Sequence, residues 1–185
     1  MTLDRHHTRR RFLGHGARLA AAGSWPWLGS SARAAPTGER SLGFDHTHTG
    51  ERIDLVYAVG DRYLPESLAR LDRFLRDHYS GDVGRMDPLL FDQLHGLQRT
   101  LGASGRFQVI SGYRCPATNA TLRRTRGGGV ATTSLHMQGR AMDVRLPGVP
   151  LVELRDAALD LRAGGVGYYP DSQFVHVDTG RVRRW

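Results

Sequence analysis

Apolar positions along the chain change period several times, and each change marks an element. Ile53, Leu55 and Tyr57 alternate with polar or small residues, the pattern of a half-buried strand. Ser41–Phe44 and Arg52–Tyr57 therefore read as two short strands around a turn at 48–51. Leu64-Pro65-Glu66-Ser67 opens a helix with proline near its first turn, and Leu68, Leu71, Phe74 and Leu75 share one face. A loop at 81–84 leads to a second helix, with Asp87 as N-cap and Pro88 at the first helical position. Leu89, Leu90, Leu94, Leu97 and Leu101 mark its expected buried face, and Gly102 ends it.

Further on, 107–110 reads as a strand, 118–124 as a short helix and 141–146 as a strand. Residues 151–162 read as a helix with Leu151, Leu154, Ala158 and Leu161 inward. A strand pair, 166–169 and 174–177, flanks the turn formers Pro170-Asp171-Ser172. Gly127-Gly128-Gly129 is a loop, and no Gly-Lys-Ser/Thr follows to make it a phosphate cradle. Helices first, then strands with one intervening helix, predict an α+β domain.

Residues 1–34 stand outside this pattern. Thr8-Arg9-Arg10-Arg11-Phe12-Leu13 is a twin-arginine sequence, a mildly apolar stretch follows, and Ala32-Arg33-Ala34 supplies small residues for cleavage. That order is an export signal. The expected layout is signal 1–34, linker 35–40 and one domain over 41–185. The signal holds six arginines and one aspartate, so five of the formal +8 charges belong to it and +3 remains. All 26 basic side chains are arginine, and they do not concentrate on one element, so nucleic acid is not an expected partner. Cys115 is the only cysteine, which excludes an internal disulfide.

The chemistry gathers late in the chain. His136 and Asp143 lie in Ser134-Leu-His-Met-Gln-Gly-Arg-Ala-Met-Asp143, and His176 lies in Phe174-Val-His-Val-Asp178. Two imidazoles and one carboxylate are a ligand set for catalytic zinc, leaving a fourth position for water. Side chains alternate across a strand, so His176 and Asp178 share a face, opposite Val175 and Val177. If the strands of Asp143 and His176 are neighbours, the three groups meet above the sheet, with His136 arriving from a loop. The competing reading is three ordinary polar residues. His46 and His48 read as part of a polar turn, with a second metal site as the alternative. Tyr168 and Tyr169 are open to cleft wall or core.

Ser111-Gly112-Tyr113-Arg114, Ser134-x-His136-x2-Gly139-x-Ala141-x-Asp143 and the late His176 resemble the M15-type zinc peptidases. The closer resemblance is to their YcbK-type, MepK-like murein endopeptidase branch. It extends to His48-Thr-Gly-Glu51, Gly165-Val-Gly-Tyr-Tyr-Pro170, Phe174-Val-His-Val-Asp178 and Arg184-Trp185. The resemblance implies a small antiparallel sheet with flanking helices, as in D-Ala-D-Ala metallopeptidases and the hedgehog signalling domain. It implies Zn2+ on His136, Asp143 and His176, and catalytic work for Arg114 on a substrate carboxylate or developing oxyanion. A structural salt bridge is the other reading of Arg114.

Relatives carry a general base as Glu three residues, or His two residues, before the last ligand. Those positions here are Gln173 and Phe174. Asp178 is then the expected base by strand geometry, with Asp171 as an alternative; a carboxylate that orients a ligand histidine is the competing role for Asp178. The implied activity is periplasmic cleavage of peptidoglycan stem-peptide cross-links. A D,D- or L,D-carboxypeptidase and a non-catalytic wall-binding module remain as alternatives.

Overall fold

The computed structural model describes residues 38–125 and 129–185. The expected export signal, and Gly127 and Gly128 of the glycine loop, lie outside the described residues. In chain order the elements are β1 (Glu39–His46), β2 (Arg52–Val59), β3 (Arg62–Tyr63), α1 (Pro65–Phe74), α2 (Pro88–Thr100), β4 (Phe107–Ser111) and α3 (Pro116–Thr125). A 3-10 turn (Leu135–Gln138), β5 (Ala141–Arg145), α4 (Leu151–Leu161), β6 (Gly165–Tyr169), β7 (Phe174–Asp178) and β8 (Arg183–Arg184) follow.

The strands form one eight-stranded sheet in the order β3-β2-β1-β4-β5-β7-β6-β8. The α+β architecture is the expected one, but the sheet is mixed rather than antiparallel: β1 runs parallel to β4, and β6 to β8. The β1–β4 pairing spans the whole α1–α2 excursion, which lets the chain re-enter the sheet in the same direction. β1 also begins at Glu39, inside the stretch expected as linker, because Glu39 and Arg40 pair with Val59 and Ala58.

Local chemistry accounts for the helices near the site. The Asp87 carboxylate accepts from Leu89 N at 3.1 Å and caps α2, with Pro88 at the first helical position. Leu90, Phe91, Leu94 and Leu97 then face inward and meet Phe44, Phe107, Met142, Val144, Val175 and Val177 in one continuous core. Leu89 and Leu161, expected inward, are exposed at 56% and 37%. On α2 the buried arc centres on Leu90, Phe91 and Leu94, and Leu89 falls beyond its edge, whereas Leu161 shares the α4 stripe with Leu154, Ala157 and Ala158 but is the last residue of that helix. Asp92, on α2, ties the helix to the sheet by accepting from Tyr57 at 3.0 Å, from Tyr63 at 2.6 Å and from Arg40. No helix among the described residues is long and apolar enough to cross a membrane.

Candidate metal centre

β5 and β7 are adjacent and antiparallel, and Asp143 lies directly across from His176 in their register. Met142, Val144, Val175 and Val177 take the core face, so the alternation of the two strands sends Asp143 and His176 to the opposite one. His136 arrives from the 3-10 turn. Ser134 opens that turn by accepting from His136 N, and Gly139 closes it at φ +65°. Any side chain at Gly139 is barred twice over, since its Cβ would lie 1.9 Å from Arg85 O. Gly139 O in turn accepts from Asp87 N at 2.8 Å, joining the turn to the start of α2.

The three ligand candidates converge: His176 Nδ1 is 2.8 Å from Asp143 Oδ1, and His136 Nε2 is 3.3 Å from both. Ligands about 2.05 Å from a tetrahedral ion would sit about 3.3 Å apart. The proton positions fit as well. His136 Nδ1 donates to Gly112 O at 2.7 Å, and His176 Nε2 donates to Asp178 Oδ2 at 3.1 Å. Each imidazole therefore turns its other ring nitrogen toward Asp143, and His176 must give up the proton it shares with Asp143 before that nitrogen can bind a metal. Among the described residues, this is the group that could hold a metal ion.

Electrostatics follow from burial and pairing. Burial works against charge on Asp143, but the facing His136 and His176 hold its carboxyl well below the usual range. Burial likewise opposes a charged His176, yet its bonds to Asp143 and Asp178 push it up to about 9.

The Asp178 carboxylate is turned away from the cleft. It is wholly buried and does not line the cleft. Its Oδ1 accepts from Gly165 N (2.9 Å), Gly180 N (2.8 Å) and Arg183 Nη1 (3.0 Å). Its Oδ2 accepts from His176 and from Arg183 Nη2 at 2.7 Å. Both oxygens are spent behind the ligand histidine. Asp171 is exposed in the β6–β7 turn, and also absent from the cleft lining.

A cleft of about 300 Å³ opens over the three ligands, flanked by Ser134, Leu135, Tyr169, Phe174 and Trp185. Arg114 lines it, with Nη2 3.2 Å from Ser111 Oγ and 3.9 Å from Asp143 Oδ2. A smaller recess continues past Arg114 and Asp143 toward His48, His78 and Ser111. His48 and His78 stack there at 4.1 Å, 3° from parallel, while His46 is buried beneath and takes the amides of His48 and Thr49 on Nδ1. His46 and His48 thus belong to the polar turn, as expected. Cys115 is buried and accepts from Thr118 N at 3.4 Å.

Sequence reasoning missed two participants. The carbonyl of Gly112 has no side-chain signature at all. Trp185 was visible only as part of a family motif, with nothing in the local pattern to place it beside His176.

Comparison with known proteins accords with this geometry. Relatives named peptidoglycan L,D-endopeptidase MepK, from Escherichia coli K12 and from Shigella flexneri, are each 44% identical over 177 residues, 96% of both chains. The probable MepK of Haemophilus influenzae is 44% identical over 147 residues, 79% of this chain and 78% of its own. No solved structure matches. Residues 34–185 match the family described as peptidoglycan L,D-endopeptidase MepK, and the chain belongs to that family of M15-type peptidases.

Proposed function

We propose that this protein is a zinc-dependent murein endopeptidase that hydrolyses an L,D amide in peptidoglycan cross-links, the bond type in the names of its relatives. One observation carries the metal: two buried histidines whose outer nitrogens are already engaged turn their inner ring nitrogens onto one carboxylate beneath an open cleft. Zinc suits two imidazoles and a carboxylate. When bound, the metal supplies Lewis acidity, which polarises a carbonyl and makes water a better nucleophile at neutral pH.

The chain's own residues do the rest. Gly112 O and Asp178 hold the two imidazole tautomers. Arg183 balances the Asp178 charge, so that Asp178 positions His176 rather than moving protons in the cleft. Arg114 projects a guanidinium beside Asp143, where it can neutralise charge developing on the substrate carbonyl oxygen. The twin-arginine signal at 1–34 would deliver the protein to the periplasm, where its stem-peptide substrate lies.

The test is digestion of cross-linked muropeptide dimers, with and without a chelator, read by mass spectrometry. Chelator-sensitive conversion to monomers, restored by zinc, is the expected result. Dimers left intact by zinc-loaded protein would refute the endopeptidase. Export is checked by replacing Arg9 and Arg10 with Lys, which should leave the protein in the cytoplasm.

A further inference from the structure

The wall of the cleft next to His176 is built by an aromatic residue at the edge of the sheet. β8 pairs parallel with β6 and carries Trp185 past its end. Trp185 N donates to Val166 O at 3.3 Å, and Trp185 O accepts from Tyr168 N at 3.1 Å. The indole N–H donates to Tyr169 Oη at 2.7 Å, and the Tyr169 ring stacks on Phe174 at 4.6 Å. Three rings therefore run together along one side of the cleft.

The seat of the indole is made by a missing side chain. Gly167 is the cross-strand partner of His176, and a Cβ on it would lie 2.7 Å from the indole ring. With no Cβ there, the ring settles over the strand, 5.2 Å from the His176 imidazole between centroids. Arg183, which holds Asp178, also lies 4.7 Å from the indole centroid. Despite these contacts Trp185 remains 50% exposed, and part of that surface lines the cleft. A large ring whose polar N–H is already satisfied, fixed in place beside a reaction centre, offers apolar area at little further entropic cost.

We infer that Trp185 is a substrate-contacting specificity residue, its indole taking the aliphatic part of a stem-peptide residue next to the cleaved amide. The inference rests on the proposed activity, and its test separates the two. The sequence has three tryptophans, Trp25, Trp27 and Trp185. In the full chain with Trp25 and Trp27 changed to Phe, all indole fluorescence comes from the cleft wall.

Cross-linked muropeptide dimer added to the metal-free form of that chain, and monomeric product added to the zinc-loaded form, should shift the emission. Each should also cut acrylamide quenching at least about twofold, as expected when an indole loses solvent to a ligand. Trp185→Ala should raise KM about tenfold while kcat and zinc content stay within about threefold, the mark of lost uniform binding. Trp185→Phe should recover part of that loss, and Gly167→Ala, which lifts the indole, should reproduce it.

An indole that stays silent while calorimetry records muropeptide binding overturns the inference and leaves the endopeptidase standing. Zinc loss or a fall in kcat alone on Trp185→Ala also overturns it, reducing Trp185 to a packing support for His176. A zinc-loaded chain that neither binds nor cleaves muropeptides removes the activity and this inference together.

Discussion

Asp178→Asn is the perturbation that best separates the two roles open to that residue. The substitution preserves shape and removes one charge. Five donors converge on the native carboxylate: two backbone N–H groups and Arg183 Nη1 on Oδ1, and His176 and Arg183 Nη2 on Oδ2. An asparagine amide can face only one of these groups with its oxygen. Its NH2 must then confront either Gly165, Gly180 and Arg183, or His176 and Arg183. At about 1–3 kcal/mol for each donor left unpaired in a buried site, the variant should lose roughly 2–4 kcal/mol of stability. With its Nε2 partner weakened, His176 can move its proton to Nδ1 and cover the lone pair that a metal needs. Loss of such a supporting carboxylate costs about 10–100-fold in metal affinity. A chelator-competition titration measures the second quantity, and chemical denaturation the first. Unchanged zinc affinity together with a kcat drop of about a thousandfold or more would refute the reasoning, because that is the signature of a lost proton shuttle.

Three further outcomes are expected. In the metal-free protein His176 stands at about 9 against an ordinary 6.5, so its charge stabilises the fold fully below pH 6.5, and that contribution is lost as pH rises through about 9. Melting curves between pH 6 and 10 should show the decline; the same proton must leave for metal to enter, so zinc affinity should rise over this window by at most about tenfold per pH unit. Arg114→Ala should lower kcat/KM by about 10²–10³ with zinc retained, measured on muropeptide dimers beside a metal assay. Asp92→Ala strips Tyr57, Tyr63 and Arg40 of their shared acceptor, and should cost about 2–4 kcal/mol in a urea melt without altering zinc affinity.

The elements themselves were legible because their cues are local. Asp87-Pro88 caps α2 as its residue types demand, and the alternation in β5 and β7 predicts which face carries Asp143 and His176. The register that sets those two opposite each other is a relation between strands, and needed either the fold or the family resemblance. Pairings across long excursions escaped for the same reason: nothing in 39–46 or 107–111 declares that β1 and β4 run parallel. Leu89 was misplaced although its position was legible: at 3.6 residues per turn it falls about 100° from Leu90, off the face that Leu90, Leu94, Leu97 and Leu101 share. The alternation puts Asp178 on the face of His176, but its burial was not legible, because it comes from Gly165, Gly180 and Arg183 folding around it.

The pairing of β5 with β7 also makes the site a product of long-range contacts. Asp143 and His176 are 33 residues apart, and His136 and His176 are 40 apart, with α4 and β6 between the ligand strands. In an unfolded chain, gathering the three ligands would mean closing loops that each cost roughly 3 kcal/mol in chain entropy, before any bond to metal forms. His136 and Asp143 alone, seven positions apart, make a weak two-point grip. The three candidates meet only where β5 and β7 stand in register, with the turn of His136 set beside them. The spacing of the donors is thus a property of the completed sheet and not of any one segment, and whatever ion the socket takes must accept distances that the strands have already fixed.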